Sequence, residues 1–308
     1  MTDLHAWLEW SRGEIDAALE RYLPRVPACP PRLDEAMRYS LFAGGKRLRP
    51  TLALAAAEAI ATANGDDIER TRELALPAAC ALELIHTYSL VHDDLPAMDD
   101  DVLRRGRPTN HVVFGEGLAI LAGDGLLTEA FALMAREPAD TADARVIARK
   151  IRAIRIVADA AGACGMAGGQ AIDLDAAGAG AGFDGDGLRS MHALKTGALI
   201  RASAAAGAVM AGADGRQLDA VEGYGTELGL AFQIVDDILD VEGASQDLGK
   251  TAGKDAAAGK PTYPALYGLD TSRRMAEDCA ARAMNALQTA DLGGRLPAIA
   301  RWVISRTH

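Results

Sequence analysis

Aromatic side chains are scarce in this sequence, at 5% of its 308 residues. The apolar share of 49% leans instead on alanine, the best helix former and a poor strand former. Few stretches alternate apolar with polar residues as strands do. A β-rich fold is thereby excluded, and an almost wholly helical protein is predicted. Cysteine is scarce too. Cys29, Cys80, Cys164 and Cys279 lie far apart without a CxxC pair, so they read as small buried apolar residues of an intracellular protein. Basic charge is in short supply, with 32 Lys and Arg against 43 Asp and Glu and a net charge of -11. That balance disfavours general binding to nucleic acid or anionic membranes. The start, MTDLHAWLEW, lacks a basic segment followed by an apolar run, so no secretory signal is expected. No run of about 18 uninterrupted apolar residues announces a membrane span, and the expected location is the cytoplasm.

What is present is a series of helical patterns. Leu4, Trp7, Leu8, Ile15, Leu19 and Tyr22 can share one stripe of a helix over 3–23, ended by the proline-rich 24–31. Further helices are predicted over 33–42, from Pro50 to 63, and over 74–92, 117–134, 140–173, 188–210 and 217–241, and from 263 onward. Segment 176–187 reads as a small flexible loop and 243–261 as a basic, glycine-rich one. No internal repeat and no linker divides the chain. The expectation is a single all-α domain over 1–308, a large helical bundle.

Two aspartate clusters interrupt this pattern. Asp93, Asp94, Asp99, Asp100 and Asp101 follow the apolar ELIHTYSLV, and Asp236, Asp237 and Asp240 follow LGLAFQIV. A solvated acidic face needs no apolar lead-in, so both clusters are expected at the mouth of a pocket. On a helix, Asp236 and Asp240 sit about 5–6 Å apart, where like charges repel. A hard divalent cation removes that penalty, and Mg²⁺ suits a few carboxylates completed by water and substrate phosphate. Within the first cluster Pro96 lacks a donor and disturbs the helix, which lets Asp93 and Asp99 converge across the irregular turn.

Three basic islands answer the acids: Gly44-Gly45-Lys46-Arg47-Leu48-Arg49, then Arg104-Arg105-Gly106-Arg107, then Gly249 to Lys254 with Lys260. Glycine permits close backbone approach, and Lys and Arg bind phosphate oxygens. Taken singly, each island could be a solvated loop. An acidic metal cluster followed by cations, twice over, suits a diphosphate–Mg²⁺ complex. Gly45-Lys46-Arg47 lacks the GxxxxGK[ST] spacing of a nucleotide P-loop. His86 lies seven residues before Asp93, on about the same helix face; its alternative is a hydrogen-bonded core histidine.

In order, GGKRLRP (44–50), LIHTYSLVHDDLPAMDDDVLRRGRPT (84–109), GGQAIDL (168–174), KTGALI (195–200), FQIVDDILD (232–240) and LGKTAGKDAAAGKPTYP (248–264) resemble the trans-prenyl diphosphate synthases, and within them the bacterial farnesyl diphosphate synthases. The resemblance implies an isoprenoid-synthase bundle around a central apolar cavity, usually a homodimer. It implies Mg²⁺, several ions per site, with Mn²⁺ as a substitute. Asp93 and Asp99 correspond to metal ligands assisted by Asp94, and Asp236 and Asp240 to ligands assisted by Asp237. Gly45, Lys46, Arg49, His86 and Arg105 correspond to the isopentenyl diphosphate site. Arg104, Lys195, Lys250 and Lys260 correspond to contacts with the allylic diphosphate, and Thr196 and Gln233 to polar groups facing the allylic cation; the last two could equally be satisfied core groups.

The implied reaction joins isopentenyl diphosphate to dimethylallyl or geranyl diphosphate. Tyr88, five residues before Asp93, resembles the aromatic floor of farnesyl synthases, with small Ser89 beside it. Geranylgeranyl or geranyl products remain open. The acid often found after GGQAxDL is replaced here by Ala177, and no role is assigned within 174–187. A terpene cyclase would not need the cations of a second diphosphate site. A His-Asp phosphohydrolase would leave the second aspartate cluster unexplained. A non-catalytic regulatory subunit would be expected to lose one motif, and both are intact.

Overall fold

Small side chains decide how closely these helices pack. A computed structural model describes residues 2–139, 142–179, 184–243 and 262–306. Its first half contains α1 (Thr2–Tyr22), α2 (Pro31–Leu41), α3 (Leu48–Asn64) and α4 (Ile68–Asp93), then a two-residue hairpin of β1 (Leu103–Arg104) and β2 (Arg107–Pro108), then α5 (Asn110–Phe114) and α6 (Glu116–Arg136). The second half contains α7 (Ala144–Ala161), α8 (Met166–Ala179), α9 (Gly185–His192), a π turn (Ala193–Gly197), α10 (Ala198–Ala211), α11 (Gly215–Gly243), α12 (Tyr263–Tyr267), α13 (Leu269–Gln288) and α14 (Leu296–Ser305). The fold is all-α.

The centre is formed by α3, α4, α10 and α11. Alanine is the commonest buried residue of α3 and α10. At Gly207 of α10 even a methyl would not fit, since an added Cβ would lie 2.0 Å from the Ala53 carbonyl oxygen of α3. Trp7, Ile15 and Leu19 of the predicted α1 stripe are buried against this core, with Leu4, Leu8 and Tyr22 partly so.

The structure departs from the sequence expectation at several boundaries, each with a local cause. α4 begins six residues early because the Asp67 side chain caps it, accepting from the Arg70 amide at 2.9 Å. The run predicted over 140–173 is two helices. Its break passes through Gly162 and Gly165, where an added Cβ at Gly165 would stand 2.2 Å from the Ala160 carbonyl oxygen. The loop expected over 176–187 is shorter, since α8 reaches Ala179 and α9 starts at Gly185. The helix predicted over 188–210 contains the π turn. Two of the described helices are long and apolar enough to cross a membrane by length and composition only, a test that buried core helices also pass. Of these, α4 is mostly buried in the core, whereas α6 has only 39% of its apolar window covered.

Candidate active site

The end of α4 opens into a cavity of about 430 Å³. His86, Tyr88, Ser89, His92 and Asp93 line it from α4, Arg49 from the first turn of α3, Met166, Gln170 and Leu174 from α8, and Lys195 and Thr196 from the π turn. His86 and Asp93 do share a face, as two helical turns require.

The chain after Asp93 doubles back. The Asp99 amide donates to the Asp93 carbonyl at 2.8 Å, Asp100 to Leu95 at 3.1 Å and Asp101 to Asp94 at 3.2 Å, with Asp100 at φ 51. Asp99 is thereby returned to the helix end that carries Asp93. Burial pushes the Asp93 carboxyl up to about 6; Lys195 opposes this and the charge of Asp99 adds to it. Asp94, almost fully buried, is held by Arg104 at 2.6 Å. In this state Arg104 serves the acid beside it.

The second basic island is a tight hairpin that sequence patterning did not signal. Arg105 (φ 54) and Gly106 (φ 73) are its two corner residues, the left-handed pair that a two-residue turn requires. The Arg105 guanidinium reaches across to the first island and donates to the Gly44 carbonyl. An added Cβ at Gly45 would lie 2.7 Å from its Nη1, so the glycine pair admits this arginine. Arg49 is buried, and its Nε has no hydrogen-bond partner, an arrangement that an incoming anion would relieve. Burial keeps His86 well below its ordinary pKa, and the charges of Arg49, Arg105, Arg104 and Arg47 add to that. It is therefore a neutral imidazole at pH 7. Lys46 shares the electrostatic neighbourhood of Asp236 and Arg306.

Arg47 is the one cation of the first island to which the family resemblance gave no role, and the structure places it against the core. It turns inward at φ 50, donating to Asp16 and Glu83 at 2.8 Å each and to the Leu41 carbonyl at 2.7 Å.

The second aspartate motif stays on the continuous helix α11. Asp236 is paired with Arg306 at 2.6 Å. That guanidinium lies 3.9 Å from the centroid of the Phe232 ring and also donates to the Phe232 carbonyl. Burial raises the Asp236 pKa, opposed by Arg306, Lys46 and Arg49. Asp237 is turned inward, accepting from the Tyr263 amide at 3.0 Å and from Gln233 Nε2 at 3.1 Å. Asp240 is half-exposed. Lys250 and Lys260, with their glycine-rich loop, lie outside the described residues.

Three participants carried too little sequence signal to be assigned. Asp173 pairs with Lys195 at 2.7 Å. Gln170, in the same cavity, has both amide atoms buried without partners. Arg306 is the third. A pair of glycines followed by polar residues three apart, in GGQAID, was the available hint for the first two. An added Cβ at Gly169 would meet the Lys195 amide nitrogen at 2.2 Å, so this glycine brings α8 against the π turn.

Among the described residues, no three Asp, Glu, His or Cys side chains gather into a ready-made metal cage. Paired carboxylates with room for substrate fit Mg²⁺, which keeps several waters and bridges to phosphate. The like-charge crowding around Asp93 is what a divalent cation would relieve.

The polyprenyl synthetase family model matches residues 30–291. The chain belongs to the polyprenyl synthetase family. It is 45% identical over 303 residues to farnesyl diphosphate synthase of Geobacillus stearothermophilus, covering 98% of this chain and 97% of that one. It is 43% identical over 300 residues to a chloroplastic geranylgeranyl pyrophosphate synthase of Catharanthus roseus, covering 97% and 79%. A crystal structure of an FPP/GFPP synthase from Zymomonas mobilis superposes with a TM-score of 0.82 at 37% identity, covering 99% of each chain. Family members use a divalent metal in catalysis, in keeping with the paired aspartates.

Proposed function

We propose that this protein is a Mg²⁺-dependent trans-prenyltransferase that condenses isopentenyl diphosphate with dimethylallyl and geranyl diphosphate to give farnesyl diphosphate and diphosphate. One observation carries this reading. Arg49, with its unpartnered buried Nε, opens into the same cavity as Asp93 and Lys195. A cation set for a second anion, beside a metal-binding acid, suits two diphosphates and not the single one of a cyclase.

Asp93, Asp99, Asp236 and Asp240 would hold the metal, which supplies Lewis-acid neutralisation of the leaving diphosphate. Arg49, Arg105, Lys46 and neutral His86 orient isopentenyl diphosphate. Lys195 and Arg104, with Lys250 and Lys260, draw the allylic diphosphate. The allylic C–O bond breaks and its electron pair leaves with diphosphate. The isopentenyl double bond attacks the allylic carbon, and a proton leaves the new unit for the departing diphosphate. Thr196 and Gln233 offer dipoles to the transient cation, and the apolar wall of Met166 and Leu174 excludes water. The chain acts as one domain, in the cytoplasm, as a homodimer. Exposed Val112, Val113, Ile120 and Leu121 around α5 and α6 support the pairing.

Chain length rests on Tyr88, which lies about 7.5 Å from Asp93 along the axis of α4. Its ring stands edge-on to His92, centroids 5.7 Å apart. Purified protein with Mg²⁺, isopentenyl diphosphate and geranyl diphosphate should yield farnesol after dephosphorylation, and only when both substrates are present. Tyr88→Ala should shift the products toward twenty carbons. Longer alcohols from the unaltered enzyme would favour the geranylgeranyl reading, and product without isopentenyl diphosphate would remove condensation altogether.

A further inference from the structure

The π turn has two sides, and only one faces the active site. Lys195 and Thr196 line the cavity described above, while Ala193, Leu194 and Gly197 line a second one of about 530 Å³. This second cavity lies between the end of α7, the π turn, the start of α10 and the middle of α11. Its volume falls in the ~300–1,000 Å³ range of small-molecule sites. Two guanidiniums, Arg189 of α9 and Arg201 of α10, reach its wall. Neither makes a hydrogen bond or an ion pair among the described residues. Of the nearby acids, Glu227 is taken by Arg282 at 2.9 Å, and Asp159 lies exposed. Leu194 and Leu230 supply apolar surface. In a chain of net charge -11, two unengaged arginines beside an apolar wall form a local reversal of sign.

Contact across this region is tight. An added Cβ at Gly229 of α11 would lie 2.9 Å from the Gly197 Cα, and one at Gly225 would lie 2.8 Å from the Arg201 Cα. Little slack separates the cavity walls from the turn that holds Lys195. A π turn carries one residue more than an α turn and is found frequently at functional sites. Lining both cavities, this one joins the wall of the second directly to Lys195.

We propose that this second cavity binds an amphipathic phosphate ester. The phosphate sits between Arg189 and Arg201, whose forked donors match its oxygens, and the chain lies along Leu194 and Leu230. Occupancy is transmitted through the π turn to Lys195. The binding half stands independently of the condensation reaction; the coupling half rests on it.

Cys164 lines this cavity and is exposed, whereas the other three cysteines are buried. Its alkylation by iodoacetamide therefore reports occupancy without any turnover. The probe is n-octyl phosphate, with n-octanol and inorganic phosphate as controls, on the full-length protein holding Mg²⁺ and inorganic diphosphate in the active site. Octyl phosphate should slow Cys164 alkylation about fivefold or more at several times its Kd, with neither control doing so. The Arg189→Ala/Arg201→Ala double variant should keep its thermal melt and basal rate and lose the protection. In the condensation assay octyl phosphate should change the KM for geranyl diphosphate about twofold or more in the unaltered enzyme and not in the double variant. Absent protection, or protection that survives in the double variant, overturns the site. An effect on KM that survives there marks competition in the active site and overturns the coupling, as does an unchanged KM in the unaltered enzyme.

Discussion

The two aspartate motifs carry similar side chains on very different backbones. The first begins where α4 ends, and its acids are placed by a chain that folds back through Asp99, Asp100 and Asp101. The second never leaves α11, and its acids are placed by helical spacing alone. Their partners differ accordingly. Asp93 is crowded by a like charge and only opposed by Lys195, whereas Asp236 is already paired with a guanidinium. The first motif is a shaped acidic cradle, and the second is a helical row whose first acid is occupied by a side chain of the C-terminal segment. A metal entering the first meets repulsion that it relieves; one entering the second must displace a cation.

The largest expected effect tests whether both halves are needed. Asp93→Asn and Asp236→Asn should each lower kcat by about 10³-fold or more, because each removes a ligand from the leaving-group metal. Steady-state rates at saturating substrates decide this. If Asp236→Asn keeps a tenth of the activity, the motifs are unequal and the first alone carries ionisation.

A second contrast lies inside one basic island. Arg47 and Arg49 are two residues apart, yet Arg47 is fixed by Asp16 and Glu83 while Arg49 opens to the cavity. Arg47→Ala should destabilise the fold by about 3–5 kcal/mol, since it strands the buried Glu83. Arg105→Ala should leave the melting temperature nearly unchanged and raise the KM for isopentenyl diphosphate about tenfold, the effect of losing a charged hydrogen bond. Denaturant titration and steady-state kinetics separate the two. Equal loss of stability would mean that Arg105 also braces the fold, through Gly44.

How far the sequence could be read follows from the same contrasts. Long helices were legible because alanine content, proline starts and glycine ends are local signals. Both aspartate clusters stood out because a solvated face or a helix cap explains carboxylates after an apolar run once more readily than twice. The inward turn of Arg47 was not, since three cations within four residues carry no periodic mark of which one faces the core. The hairpin escaped because its corner places an arginine at positive φ, where Asn or Gly is the usual sign. The π turn is a tertiary fact, tied to how closely Gly169 brings α8 to Lys195. Arg306 stands far from Asp236 in sequence, and nothing in one arginine near a chain end reveals the acid it meets.

Arg306 also gives the smallest and most discriminating test. Its side chain is nearly buried while that of Asp236 is 41% exposed, so the pair is partly screened and worth at most about 1 kcal/mol. If the guanidinium holds the place a metal takes, Arg306→Gln should lower the Mg²⁺ concentration for half-maximal rate, by no more than about fivefold. The direction matters more than the size. Should the half-saturating Mg²⁺ rise instead, Arg306 is orienting Asp236 toward the metal, and the second motif is as preformed as the first. The contrast between a shaped cradle and an occupied row would then disappear, leaving only the backbones to tell the two motifs apart.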